Sequence, residues 1–219
     1  MVLLADIQFE RTTNGRSRRR YLRIHGDETA AAKALAEHMR TRRGVAFSVT
    51  GSDRLVTVAG GRLDPNRMYS RAGAEKSYRR LNPGWSDLEV MRALDWLDGA
   101  RPKLVKALLP PKRGLLFALH NNARGYSVED EVGISQAASL PRRGEPHEFF
   151  LATDGRDYKL LSQGPYNVVL QSAPEGEDDG SMSRLCARLG VRYVNLEVGT
   201  GKLERQKEMM DWLEKALPE

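Results

Sequence analysis

The run Leu115-Leu116-Phe117-Ala118-Leu119 constrains this chain more than any other segment. Its residues are all apolar, with no polar alternation, so a strand made from them hides side chains on both faces. Such strands lie in sheets covered by helices on either side, and the amphipathic stretches elsewhere can supply that cover. Ala31, Leu35 and Met39 form one stripe of a helix that follows Gly26, takes Asp27 as its N-cap and stops at Gly44. Leu88, Met91, Leu94 and Leu97 mark a second helix. A separate helical piece covers 104–108 and ends at Pro110-Pro111. A short helix is expected over 183–189 and a closing one over 203–217. Strands are expected over 21–24, 45–49, 55–59, 149–152, 167–171 and 192–198. Residues 60–82 read as a loop, and the acidic, glycine-containing stretch 173–180 as an exposed loop. With no internal repeat and no linker, the chain reads as one α/β domain over 1–219.

Composition removes several function classes. Hydrophobic residues make up 40% and charged residues 29% of the 219 positions, ordinary values for a globular protein. Cys186 is the one cysteine, so no internal disulfide forms, and its apolar neighbours Leu185 and Ala187 mark it as a small buried hydrophobe. No apolar run approaches the roughly 20 residues of a membrane helix, and Met1 to Ala5 lacks the features of a secretory signal. A cytoplasmic location is expected for the chain as it stands, and a periplasmic one if a leader has been removed. The formal charge of +6 raises nucleic acid as a partner. However, the basic clusters at 16–20, 40–43, 79–80 and 142–143 are not interleaved with aromatics and fall at expected turns or helix ends. A solvated surface, or a preference for anionic substrates, accounts for them.

The chemistry-bearing residues gather at strand ends. His25 closes the strand 21–24, and Glu28 follows it by three positions across the turn at Gly26. A histidine at a strand end and a glutamate in the first helical turn can converge on one point. His120 closes the buried run 115–119, and in open α/β sheets sites form at such ends. Histidine and glutamate are zinc ligands, and three of them leave a fourth position open for water. Each histidine could instead satisfy a local hydrogen bond. Glu197 follows Tyr193-Val194-Asn195-Leu196, an apolar setting in which a carboxylate is costly unless it is paired or working. It is the candidate general base, with an outward-facing strand position as the alternative. In Asp64-Pro65-Asn66-Arg67, arginine offers a two-pronged grip on a carboxylate and Asn66 further polar contacts, although Asp-Pro-Asn is also good turn chemistry.

These segments resemble a known group. His25-Gly26-Asp27-Glu28-Thr29, Asp64-Pro65-Asn66-Arg67, Leu119-His120-Asn121-Asn122 and Leu196-Glu197-Val198-Gly199 are similar, in this order, to motifs of the zinc carboxypeptidases and the succinylglutamate desuccinylase–aspartoacylase group. The resemblance implies a three-layer α/β/α fold with a mixed, largely parallel central sheet. It implies one zinc ion per chain on His25, Glu28 and His120. Glu197 would be general base, and Asn66 with Arg67 the clamp on a substrate carboxylate. Relatives place a further arginine near the carbonyl oxygen; Arg54, beside a turn, is the first candidate and Arg62 the second. Tyr126, Tyr158 and Tyr166 are candidates for an active-site tyrosine. The sequence departs from the pattern at Pro65, where relatives carry leucine, and at Ala118, where the deacylases carry an acid. The implied activity is hydrolysis of an amide next to a free carboxylate by a carboxypeptidase-like peptidase, with cell-wall peptides as one polymeric substrate. An N-acyl amino acid deacylase and a non-catalytic binding module of the same fold are the alternatives. A small-molecule or peptide substrate is thus the expected partner, with neither membrane nor nucleic acid.

Overall fold

The computed structural model describes residues 1–122 and 125–219. The strand grown from the 115–119 run lies at the middle of a nine-stranded sheet. In spatial order the strands are β1 (Val2–Leu4), β2 (Ile7–Asn14), β4 (Gly44–Val49), β3 (Arg19–Arg23), β7 (Leu115–Asn122), β11 (Arg192–Gly199), β9 (Phe149–Ala152), β10 (Asn167–Leu170) and β8 (Ala137–Ser139). The sheet is mixed. Its central strands β4, β3, β7 and β11 run parallel, β9 and β10 form another parallel pair, and the remaining pairings are antiparallel. Every residue of β7 is buried, as its unbroken apolar run requires.

Helices cover both faces. Leu115, Phe117 and Leu119 share one core with α1 (Thr29–Thr41), α5 (Gly155–Leu161) and α7 (Leu203–Ala216). Leu116 and Ala118 face the other core, built on α2 (Arg71–Leu81), α3 (Asp87–Leu108) and α6 (Met182–Leu189), with the short α4 (Val128–Val132) at its edge. The strand alternation places His120 on this second face, and the matching alternation of β11 places Tyr193, Asn195 and Glu197 there too.

Several segments differ from their sequence expectation. Helix α3 is a single 22-residue helix that runs through Pro102. Val90, Ala93, Leu94 and Leu97 before the proline, and Leu104 and Leu108 after it, bury along it, and this packing outweighs one missing hydrogen bond. Leu88 and Met91 are 58% and 52% exposed, because apolar residues occur in two helical phases here and the other phase faces the core. The stretch 60–82 is largely ordered. It holds β6 (Gly61–Leu63), hairpinned to β5 (Val56–Val58) apart from the main sheet, then a 3₁₀ turn at Pro65–Arg67 and α2. The core side of α2 is Gly73, Ala74, Ser77 and Tyr78, too small and polar to read as an apolar stripe. Arg19 lies inside β3 rather than on a solvated surface; its guanidinium pairs with Glu214 and donates to Leu217 O at 2.7 Å.

The acidic loop before α6 is exposed at 173 and 175–177, as expected, and packs at its C-terminal end. Tyr69 N donates to Gly180 O at 3.0 Å, and Met182 N to Asn66 Oδ1 at 3.0 Å. A Cβ on Gly73 would stand 2.3 Å from Asp179 O and 2.4 Å from Gly180 Cα, so α2 and this loop touch through backbone alone. Gly73→Ala is therefore expected to destabilise the protein by about 1–3 kcal/mol in chemical denaturation. Gly84→Ala, where a Cβ meets nothing within 4 Å, is expected to change little.

Candidate metal centre

Strands β3, β7 and β11 lie side by side and parallel, so their C-terminal ends open at one edge of the sheet. Glu197 sits directly across from His120 in the β11–β7 register. His25 follows the end of β3 by two residues. Gly26 then passes tightly under the 51–53 turn: its N–H donates to Asp53 O at 3.0 Å, and a Cβ there would stand 2.6 Å from that oxygen. This close passage requires glycine. It brings Glu28 back towards the sheet as the residue that caps α1, one position later than the Asp27 cap expected from sequence. Glu28 makes no side-chain cap hydrogen bond, because its carboxylate is turned to the histidines.

Glu28 Oε1 lies 3.0 Å from His25 Nδ1 and 3.1 Å from His120 Nδ1. One donor atom from each of His25, Glu28 and His120 falls within 4.8 Å of the others, and all three side chains are buried. A tetrahedral zinc with ligand bonds of about 2.1 Å holds its donors roughly 3.4 Å apart, which this spacing accommodates. Among the described residues Glu28 Oε2 has no hydrogen-bond partner although it is buried, a costly state that a cation would relieve. The second nitrogen of His25, Nε2, bonds Asp64 Oδ1 at 3.0 Å, which fixes the ring and leaves Nδ1 facing Glu28. The three residues thus fit a metal ion, which they would hold through two imidazole nitrogens and a carboxylate.

The electrostatics follow from this packing. Burial opposes a charge on His25, yet the hydrogen bonds to Asp64 and Glu28 outweigh it and raise its pKa to about 9. Burial likewise works against ionised Glu28, but His120 and His25 overcome it and hold the pKa at about 2. Glu197 is moved the other way. Burial raises its pKa, with Glu28 adding to the effect, while His120 and the amides of Asn195 and Asn122 pull against it. Asn195 Nδ2 donates to Glu197 Oε1 at 3.0 Å.

A cavity of about 510 Å³ opens over these residues, lined by His25, Glu28, His120 and Glu197 and also by Arg54, Asn66 and Arg67. Arg54 is half exposed at the mouth, with Nη1 3.5 Å from Glu28 Oε1 and 3.9 Å from Asp27 Oδ1. Arg62 lies elsewhere, exposed on β6. The guanidinium of Arg67 donates to Asn66 O at 2.7 Å and stands 3.4 Å from Asp179 Oδ2. Asn66 spends its side-chain oxygen on Met182 N, so its NH₂ is the group left to the cavity. Of the three candidate tyrosines, Tyr126 lines the cavity; Tyr158 and Tyr166 pack on the opposite face of the sheet. Ala118 is a core residue, 1% exposed. Sequence reasoning gave Asp64 no role beyond its motif and overlooked Asn122 and Asn195, although the period-2 alternation of β11 puts Asn195 on the face of Glu197.

No protein-family model matches the chain, and no curated protein matches it either. Solved structures do. Succinylglutamate desuccinylase from Chromobacterium violaceum superposes with a TM-score of 0.50 at 15% identity, over 91% of this chain and 60% of that one. The chain has the desuccinylase fold. The product-bound ectoine utilization protein EutE (DoeB) from Ruegeria pomeroyi superposes at 0.46 and 14% identity, over 94% of this chain and 58% of that one. A candidate metallopeptidase from Shewanella baltica gives 0.46 and 13%, over 96% and 82%. The chain thus spans about three fifths of the length of the desuccinylase and of the ectoine protein. Within the desuccinylase fold of this chain, Asp64 is the residue that orients His25. Asp64→Asn is expected to leave the protein folded and weaken metal affinity about 10–100-fold in a chelator competition assay. Unchanged affinity would show that His25 needs no such partner.

Proposed function

We propose that this protein is a zinc-dependent hydrolase that cleaves an amide bond next to a free carboxylate. The observation that carries the proposal is the convergence of His25, Glu28 and His120 on one point with the buried carboxylate of Glu197 on the same cavity wall. A zinc ion held by the three residues would supply a Lewis acid and a water of lowered pKa. Glu197 takes the proton from the attacking water and delivers it to the leaving nitrogen. Its raised pKa suits a group that must both accept and return a proton. Asn195 holds the carboxylate in place through its side-chain amide. Arg54, at the mouth, is assigned to the oxyanion that develops on the substrate carbonyl. Arg67 grips the substrate carboxylate by two parallel hydrogen bonds, and Asn66 adds its NH₂.

The substrate reading taken first is a peptide cleaved at its C-terminus in the carboxypeptidase manner; cell-wall peptides are one such class. Deacylation of an N-acyl amino acid is the second, and likeness to a protein named succinylglutamate desuccinylase supports it. Both present Arg67 with a free carboxylate. Among the described residues no helix is long and apolar enough to cross a membrane, and the cavity suits a small molecule or a chain end.

The test of mechanism is Glu197→Gln, which preserves shape and removes the proton acceptor. It should retain zinc and lose at least about 100-fold in kcat on whichever amide the wild type cleaves in a screen of peptides and N-acyl amino acids. Undiminished turnover in that variant would remove Glu197 from the reaction.

A further inference from the structure

The first turn of α1 carries Glu28, yet the helix has no side-chain cap of its own. Glu28 stands at the N-cap, where a side-chain oxygen ordinarily accepts the N–H two or three positions on. Its carboxylate is turned to the histidines instead, so the free N–H groups of the turn need an acceptor from elsewhere. Asn121 supplies one. Its Oδ1 accepts from Ala31 N, three residues after Glu28, at 2.9 Å. Asn121 follows His120 on β7, and the strand alternation turns it to the opposite face of the sheet, where α1 and α7 pack. One strand therefore offers a histidine to the metal centre on one face and a cap to the helix of Glu28 on the other.

The two ends of an asparagine amide have nearly the same shape, so a partner must decide which end faces Ala31. Gln206 decides it. Gln206 lies in the first turns of α7, is fully buried, and accepts at Oε1 from Asn121 Nδ2 at 2.7 Å. Asn121 Nδ2 also donates to His120 O at 3.2 Å. With its NH₂ engaged in this way, Asn121 presents oxygen to the helix. The start of α7 is itself tied to β7: Thr200 donates from both N and Oγ1 to Asn122 O, each at 2.9 Å. Asn121 borders the metal cavity, but these bonds direct its polar atoms into the α1–α7 layer.

We infer that Asn121, oriented by Gln206, is a positioning residue for the metal centre: it docks the first turn of α1 on β7 and so holds Glu28 Oε1 between the two imidazoles. Gly26 lets the chain turn back after His25, and Asn121 fixes where the turn comes to rest. The inference rests on the metal-site reading, and the cap beneath it can be measured in the metal-free protein.

The experiment uses Asn121→Leu, which keeps the volume and removes both polar ends, with the pair Gln206→Met and Gln206→Glu. The glutamate variant keeps the acceptor for Asn121. Among the described residues Gln206 Nε2 has no partner, so that variant gives up no hydrogen bond. Gly114→Ala is the control for lost stability, since a Cβ there would stand 2.3 Å from Arg18 O at the far end of β7. In the metal-free protein, hydrogen exchange of the Ala31 amide should accelerate at least about tenfold in Asn121→Leu and in Gln206→Met. Zinc affinity in chelator competition should fall about 10–100-fold in the same two variants and stay near wild type in Gln206→Glu and Gly114→Ala. A role in stability alone gives another order, because a buried glutamate is costlier than a buried methionine. Where Asn121→Leu does not fold, Gln206→Met decides by the same two readouts. Unchanged Ala31 exchange or wild-type zinc affinity in the folded variant would overturn the assignment, as would an equal loss of affinity in Gly114→Ala. A wild type that binds no zinc, although its Ala31 amide depends on Asn121, would overturn the metal reading and the positioning role with it, leaving only a helix cap.

Discussion

Glu28 Oε1 lies about equally far from two imidazole nitrogens, His25 Nδ1 and His120 Nδ1, and much of the site depends on that contact. Two rings meet one oxygen because β3 and β7 are parallel neighbours in a register that sets Leu22 beside Ala118, two residues short of His120. The contact also needs the chain to turn back sharply after His25, which the tight passage of Gly26 under the 51–53 turn permits. A larger residue at position 26 would push α1 away and carry Glu28 with it. The histidines are thus set by sheet register and the glutamate by one glycine.

The same arrangement explains how so much charge is kept inside. Buried carboxylates are costly unless paired. Glu28 has its two histidines, and Asp64 has His25. Among the described residues Glu197 has the amide of Asn195 and the neighbouring His120, and its raised pKa reflects that weaker support. The two acids beside the histidines are shifted in opposite directions by their surroundings. Such a separation of roles is what a site needs if one carboxylate is to bind a cation and the other to move a proton.

Much of this was legible in the sequence, for particular reasons. The 115–119 run announces a doubly covered strand because nothing in it is polar, and it leads to His120, although the strand continues to Asn122 rather than ending at the histidine. His25 and Glu28 are close in sequence, so their convergence follows from one turn. The carboxylate of Asp64 is close to His25 only in space, across 39 positions, and no local pattern joins them. Helix α2 was hidden by its small, polar core side, and α3 by a proline that tertiary packing overrides. Arg54 and Arg62 could not be separated by spacing, since the difference between them is that the 51–54 turn folds over the site and the β5–β6 hairpin points away from it.

The account stands on the proposition that three side chains form one zinc site. Its most direct test is the zinc content of the purified protein by elemental mass spectrometry, after saturation with zinc and exhaustive dialysis. One zinc per chain in the wild type, lost in both His25→Ala and His120→Ala while each variant stays folded, is the predicted result. A folded wild type that retains no zinc, or one whose zinc survives both substitutions, would contradict it.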